Sequence, residues 1–371
     1  MAPVLALSLS AGSALAAVPS LSNLFVFGDS FSDSGNAYVI SGKRVMPSPP
    51  YNGGRFSNGP VTVEHLWQAF NPGDTSFQPS ESGGTNYAVG GSTSGVENFM
   101  SWYFWEQGLP NSLLSPSFRH KGIAWQLSQF KSARSTFDPK TTLFAVWVFP
   151  NDIFTEFLPS NNFQGIGTYD GKSSPNGIAN IAPTAVANVM GTIQELALAG
   201  GRHFLVPNTP NLGMLPFFSG SPAQQTATTL SLEFNALLGK ELASLAEARK
   251  DLQIIPFQTQ DFFSAIMSNP SLYGISNATD ACYNEAQSPN PCETPESYLY
   301  WDTVHPTTSV QLLLSQRMYE ATRNFNNTHV PTPLPALGGL AALGWSRSLR
   351  QRLRLRSQKT SHSCAGQCPA D

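Results

Sequence analysis

The sequence predicts an α/β fold, a three-layer α/β/α sandwich built around a mostly parallel sheet. Three observations carry this expectation. Short apolar runs rich in Val, Ile and Phe recur along the chain, and segments of helical periodicity separate them. The 371 residues are 41% hydrophobic and show no internal repeat, enough for one sizeable core and unlike a fibre or a disordered chain. Alternation of strand and helix implies crossover connections, which place helices on both faces of a parallel sheet and ligands beyond the carboxyl ends of its strands.

The candidate strands are Leu24-Phe25-Val26-Phe27, residues 143–149, Phe204-Leu205-Val206 and residues 252–257. Each is apolar without alternation, the pattern of a strand covered on both faces. Among the helical segments, residues 182–199 stop at Gly200-Gly201, a helix-ending signal. Residues 223–248 carry Leu and Ala at steps of three and four, and residues 309–324 form a further helix. Residues 42–60 and 71–85, rich in Gly, Pro, Ser and Asn, read as loops. Residues 161–176 read as a polar insertion over the active face.

Both ends differ from the body of the chain. Residues 1–17 read as an export signal: an apolar run from Val4 ends in Ala14-Leu15-Ala16, which fits the small-x-small cleavage rule. No basic residue precedes that run, since the first Lys or Arg is Lys43, and the start therefore reads as truncated. Residues 18–328 form the main domain, and residues 329–371 a tail. Charged residues make up only 12% of the chain, the net charge is -3, and six of the 21 basic residues lie in the tail, so the main domain is mildly acidic. It offers no broad basic surface for nucleic acid. Of the four cysteines, Cys282 and Cys292 suit a disulfide over a polar loop in an exported protein, the alternative being two separate thiols. Cys364 and Cys368 form a second close pair, and neither pair has zinc-site spacing.

The chemistry concentrates in two places. The first strand runs into Gly28-Asp29-Ser30-Phe31-Ser32, which exposes Ser30 at the sheet's carboxyl edge with backbone N–H groups following it. Serine is a weak nucleophile and needs a histidine base, and the histidine needs a carboxylate to fix its tautomer. Far downstream, Asp302-Thr303-Val304-His305 supplies both groups within one turn, so that Asp302 accepts from Nδ1 and Nε2 faces Ser30. The other histidines, His65, His120, His203, His329 and His362, lack this arrangement.

Together these motifs resemble the SGNH, or GDSL, hydrolase family. Gly28-Asp29-Ser30-Phe31-Ser32 is similar to its Gly-Asp-Ser-Leu signature, and Asp302-x-x-His305 to its closing motif. Asn86-Tyr87-Ala88-Val89-Gly90-Gly91-Ser92 resembles its glycine block, and Phe149-Pro150-Asn151-Asp152 its Gly-x-Asn-Asp block. Pro49-Pro50-Tyr51-x-x-Gly54-Arg55-Phe56-Ser57-Asn58-Gly59-Pro60 adds to the likeness, which covers residues 22–325. The resemblance implies a flavodoxin-like, five-stranded sheet, a catalytic triad of Ser30, Asp302 and His305, and an oxyanion hole from the N–H groups of Ser30, Gly91 and the Asn151 side chain. A tight turn is the alternative role for Gly90 or Gly91. Phe149 replaces the usual glycine, and the expectation is that it reshapes the acyl pocket. Asp29, Asp33 and Asp152 read as turn and helix-start residues, the alternative being support of the site by hydrogen bonding.

The implied activity is ester hydrolysis through an acyl-enzyme, with no metal or organic cofactor. The substrate is a small-molecule, lipid or acylated-glycan ester. Alternatives are an acyltransferase on lipid or glycan acceptors and a non-catalytic surface protein on the same scaffold. The tail, with Val330-Pro331-Thr332-Pro333-Leu334-Pro335, then a short apolar stretch and then Arg347, Arg350, Arg352, Arg354 and Arg356, resembles bacterial PEP-CTERM sorting signals. That resemblance implies a secreted or cell-envelope location, transient membrane anchoring and removal by a sorting protease; the alternative is a disordered or lipid-binding basic tail.

Overall fold

A row of large apolar side chains crosses the sheet and sets the core. Phe25, Phe144, Phe204 and Ile254 occupy matching register positions on four strands, with ring centroids 5.2 Å apart for the first pair and 5.6 Å for the second. The four strands are β1 (Asn23–Gly28), β2 (Thr142–Trp147), β3 (His203–Pro207) and β4 (Gln253–Phe257), all parallel and in that spatial order. Every residue of β2 is buried, as its unbroken apolar run predicts for a strand covered on both sides. The computed structural model describes residues 21–43, 49–106, 111–157, 165–175, 177–284, 286–287 and 290–323. The expected export signal, the sorting-like tail, Cys364 and Cys368 lie outside the described residues, as does part of the polar insertion.

The helices are α1 (Asn36–Ile40), α2 (Thr62–Phe70), α3 (Phe99–Glu106), α4 (Ser115–Phe118), α5 (Ile123–Ala133), α6 (Pro150–Glu156), α7 (Ile178–Leu198), α8 (Gln224–Ala248), α9 (Thr259–Ser268) and α10 (Thr308–Thr322). Phe130 of α5 packs edge-on against Phe25, Phe27 and Phe144. Beside α5 lies α7, joined by the Lys131–Glu195 ion pair, and α7 packs along α8. Buried Leu230, Phe234, Leu238 and Leu242 recur every four residues on α8, so one face of that helix is apolar. A second group pairs α2 with α10 through Phe70 against Tyr319, at 4.8 Å, and through Gln311 Oε1, which accepts from the Thr62 N–H at 3.0 Å. Among the described residues no helix is long and apolar enough to cross a membrane.

The implied count of five strands is corrected to four. Residues 85–89 do run parallel along the free edge of β1, where Tyr87 N donates to Val26 O at 2.8 Å and Val89 N to Gly28 O at 3.2 Å. They occupy the place of a fifth strand without a complete ladder, because Gly28 N donates to the Gln126 side chain instead of to the Tyr87 carbonyl. Asn86, whose backbone points away from β1, pairs on its outer side with Gln78 O and Ser80 N. A separate two-stranded sheet, β5 (Asn277–Ala281) with β6 (Tyr298–Tyr300), carries the chain into the segment 301–307.

Candidate active site

β1 ends at a glycine for a steric reason. A Cβ on Gly28 would lie 2.5 Å from the Trp147 carbonyl oxygen of the neighbouring strand. Gln126 of α5 clamps the same residue, accepting from Gly28 N at 2.9 Å and donating to Gly28 O at 2.7 Å. The chain then turns sharply: Asp29 Oδ1 accepts from Phe31 N, and Asp29 O accepts from both Ser32 N and Asp33 N. Ser30 sits at the apex, just beyond the carboxyl end of the strand, and its own N–H has no hydrogen-bond partner among the described residues.

Ser30, His305 and Asp302 meet in one relay. The Ser30 hydroxyl is 2.7 Å from His305 Nε2, and His305 Nδ1 is 2.8 Å from Asp302 Oδ2. The turn holding both partners is closed by Trp301 N donating to His305 O at 2.7 Å, and Asp302 Oδ1 accepts from Val304 N and His305 N at 2.7 and 2.6 Å. Tyr51 Oη donates to Asp302 Oδ2 at 2.8 Å. Burial works to raise the Asp302 pKa, but the attraction of His305 and these hydrogen bonds prevail and hold it below the ordinary carboxylate value. Phe31 and Phe56 flank the imidazole, with centroids at 5.8 and 5.3 Å. The three residues are 7–8% exposed, which leaves a narrow opening for a reacting group.

Gly91 and Asn151 stand at the carboxyl ends of the neighbouring segments, residues 85–89 and β2. The Gly90 N–H is committed to Asp33 Oδ2 at 2.8 Å, whereas the Gly91 N–H has no partner among the described residues. Gly91 has φ +80°, the left-handed region, and a Cβ there would lie 2.5 Å from Asn98 Oδ1. Asn151, on the first turn of α6, donates one side-chain N–H to Ser92 O at 3.1 Å and keeps a second. Phe149 does not line an acyl pocket: it is fully buried and stacks on Phe234 of α8 at 3.9 Å, so the expected reshaping of the pocket is corrected.

Several supports act through long-range contacts whose partners the sequence does not indicate. Asp33 is more than a helix-start residue, since it accepts from Gly35 N and from Asn36 N and Ala37 N of α1 and also fastens Gly90. Asp152 ties α6 to the glycine loop, accepting from Ser94 N at 2.9 Å and Ser94 Oγ at 2.5 Å. Burial raises the pKa of Asp29 and Asp152 to about 7 each and that of Asp33 to about 6. Cys282 and Cys292 form the disulfide that the sequence suits, rather than two separate thiols. Among the described residues no group of three or more His, Cys, Asp or Glu side chains is arranged to hold a metal ion.

A nucleophile and a general base in one relay, with free N–H donors on the neighbouring loops, can perform acyl transfer. The sequence profile described as GDSL-like Lipase/Acylhydrolase matches residues 24–318. Among curated proteins, the chain is 27% identical over 342 residues to phosphatidylcholine-sterol acyltransferase of Aeromonas hydrophila, covering 80% of this chain and 89% of that one. It is 24% identical over 346 residues to a GDSL esterase/lipase of Arabidopsis thaliana, covering 79% and 86%. A solved structure of a lipolytic G-D-S-L family protein from Veillonella parvula is similar with a TM-score of 0.39 and 12% identity, covering 80% of this chain and 96% of that one.

Proposed function

Starting from the GDSL-like lipase/acylhydrolase family, to which this chain belongs, we propose that it is an exported serine hydrolase that cleaves carboxylic acyl esters through an acyl-enzyme on Ser30. Family membership carries the coarser statement, an enzyme of acyl-ester hydrolysis or acyl transfer. The single observation behind the finer reading is the continuous relay from Ser30 Oγ through His305 to Asp302 Oδ2. Export is supported by the apolar, alanine-ended start of the chain.

In this mechanism Ser30 Oγ attacks the ester carbonyl carbon while its proton passes to His305 Nε2. Asp302 holds Nδ1–H and stabilises the imidazolium without taking the proton. The carbonyl oxygen becomes an oxyanion that receives the N–H groups of Ser30 and Gly91 and the spare side-chain N–H of Asn151. Collapse expels the alcohol, which takes the proton from His305. Water, deprotonated by the same nitrogen, then releases the acid. Ser30→Ala and His305→Ala should each lower kcat on a short p-nitrophenyl ester by about 10⁴-fold or more, with the fold intact by circular dichroism. Near wild-type turnover in either variant would sink the assignment.

Transfer to an alcohol is the second reading, favoured by the likeness to an acyltransferase. An acceptor alcohol displaces water in the second half-reaction and needs no further residue. Product analysis with added alcohols separates the two, since transfer yields a new ester and hydrolysis the free acid.

A further inference from the structure

The triad carboxylate is shared. Its Oδ1 is occupied by two backbone N–H groups and lies 3.0 Å from His305 Nδ1, while Oδ2 meets Nδ1 at 2.8 Å and the Tyr51 hydroxyl at 2.8 Å. Tyr51 comes from the loop between α1 and α2, 251 residues away in sequence. Its ring is held edge-on by Tyr283 at 5.8 Å and Trp301 at 6.0 Å, and these two stack on each other. Tyr283 in turn is fixed by its N–H to Trp301 O at 2.6 Å and by the adjoining Cys282–Cys292 disulfide. A cluster of this kind serves packing without needing a hydroxyl aimed at the catalytic acid. The hydroxyl is so aimed, and it competes with the imidazole for the same oxygen.

We propose that Tyr51 is a positioning residue of the triad: its hydroxyl orients Asp302 and, by taking part of the charge on Oδ2, sets how firmly His305 holds a proton. This rests on the hydrolase reading of Ser30, His305 and Asp302. A donor to a carboxylate lessens the charge available to a second donor. Removing the Tyr51 hydroxyl therefore leaves Asp302 more negative toward Nδ1–H, so the imidazolium is favoured and the base becomes free only at higher pH. The titratable groups facing this pair are Asp29 from the turn after β1, whose charge His305 feels, Asp302 itself, and Tyr51, with Tyr283 beyond it.

The test compares the full chain with Tyr51→Phe and with 2-fluorotyrosine placed at position 51, a stronger donor of nearly the same shape. The phenylalanine variant should move the acid limb of kcat/KM upward by about 0.5 unit or more and lower kcat several-fold with little change in KM. The fluorinated residue should move the limb downward. The proton NMR resonance of His305 Nδ1–H should shift in both. Limbs and resonances that coincide with wild type in folded protein overturn the proposal and reduce Tyr51 to packing. If the phenylalanine variant does not fold, the fluorinated protein decides alone. The resonance needs no turnover, so a chain inactive on every ester, yet sensitive to position 51, would fail the hydrolase reading while upholding the placement of Tyr51.

Discussion

Asn151 has one side-chain N–H on Ser92 O and one to spare, and Gly91 offers a backbone N–H with no partner among the described residues. If both face the oxyanion, Asn151→Ala should cut kcat by about 10²–10³ with KM little changed, since the donor acts on charge that develops only in the transition state. An equal rise in KM with kcat unchanged would mean ground-state binding instead. Gly91→Ala should be worse folded as well as slower, because its φ is left-handed and its Cβ meets Asn98 Oδ1; a lowered Tm together with lowered kcat checks this. Ser30, Asp302 and His305 are legible in the sequence because a serine at a strand's end and an Asp-x-x-His turn are local patterns. Tyr51, Gln126 and Ser94 are not, because their contacts join segments 58 to 251 residues apart, and no local pattern records such a meeting. Phe149 illustrates the opposite error: the substitution is visible, but only the facing Phe234 shows that the ring turns into the core.

At the scale of elements, apolar runs locate the four strands because a buried parallel strand needs continuous hydrophobicity. The segment 85–89 and strand β5 escape the same reading, the first because its apolar run is only Tyr87-Ala88-Val89 and Gly28 N turns to Gln126 instead of extending the ladder, the second because Asn277-Ala278-Thr279-Asp280-Ala281 is polar. Helix α7 starts at Ile178 rather than residue 182, with Pro183 inside the helix. The disulfide matters at this scale. It closes a loop of ten-residue separation that backs Trp301 and the turn to Asp302. Cys282→Ser with Cys292→Ser should cost about 3 kcal/mol by the chain-entropy estimate, read as a lower denaturation midpoint. Because the loop buttresses the triad turn, kcat should fall with it. A variant equally stable and equally active would show that the loop is held by β5 and β6 alone.

At the scale of the whole molecule, three carboxyl groups are enclosed between the sheet edge and the loops above it, and burial raises the pKa of Asp29 and Asp152 to about 7 and of Asp33 to about 6, against an ordinary value of 3.8. Between those values the folded chain holds protons that the unfolded chain has released. Their contribution to stability is therefore full below the ordinary value and is lost as pH rises through the folded-state values. Asp302 has the opposite sign: its pKa is lowered, so its contribution is present above the ordinary value and disappears as pH falls through the lowered one. The two trends together place maximum stability in mildly acidic solution, while the serine relay needs a neutral His305 and so gains with rising pH. Calorimetry should find a higher Tm at pH 5 than at pH 8, with the decline under way from about pH 4 and levelling off near pH 7, where the highest of these folded-state values lies. Asp152→Asn, which keeps the acceptor for Ser94 N but cannot ionise, should flatten the decline. A Tm that climbs steadily from pH 5 to pH 8, or an Asp152→Asn profile parallel to wild type, would mean that these acids are ionised in the folded chain and that the loops admit water to them.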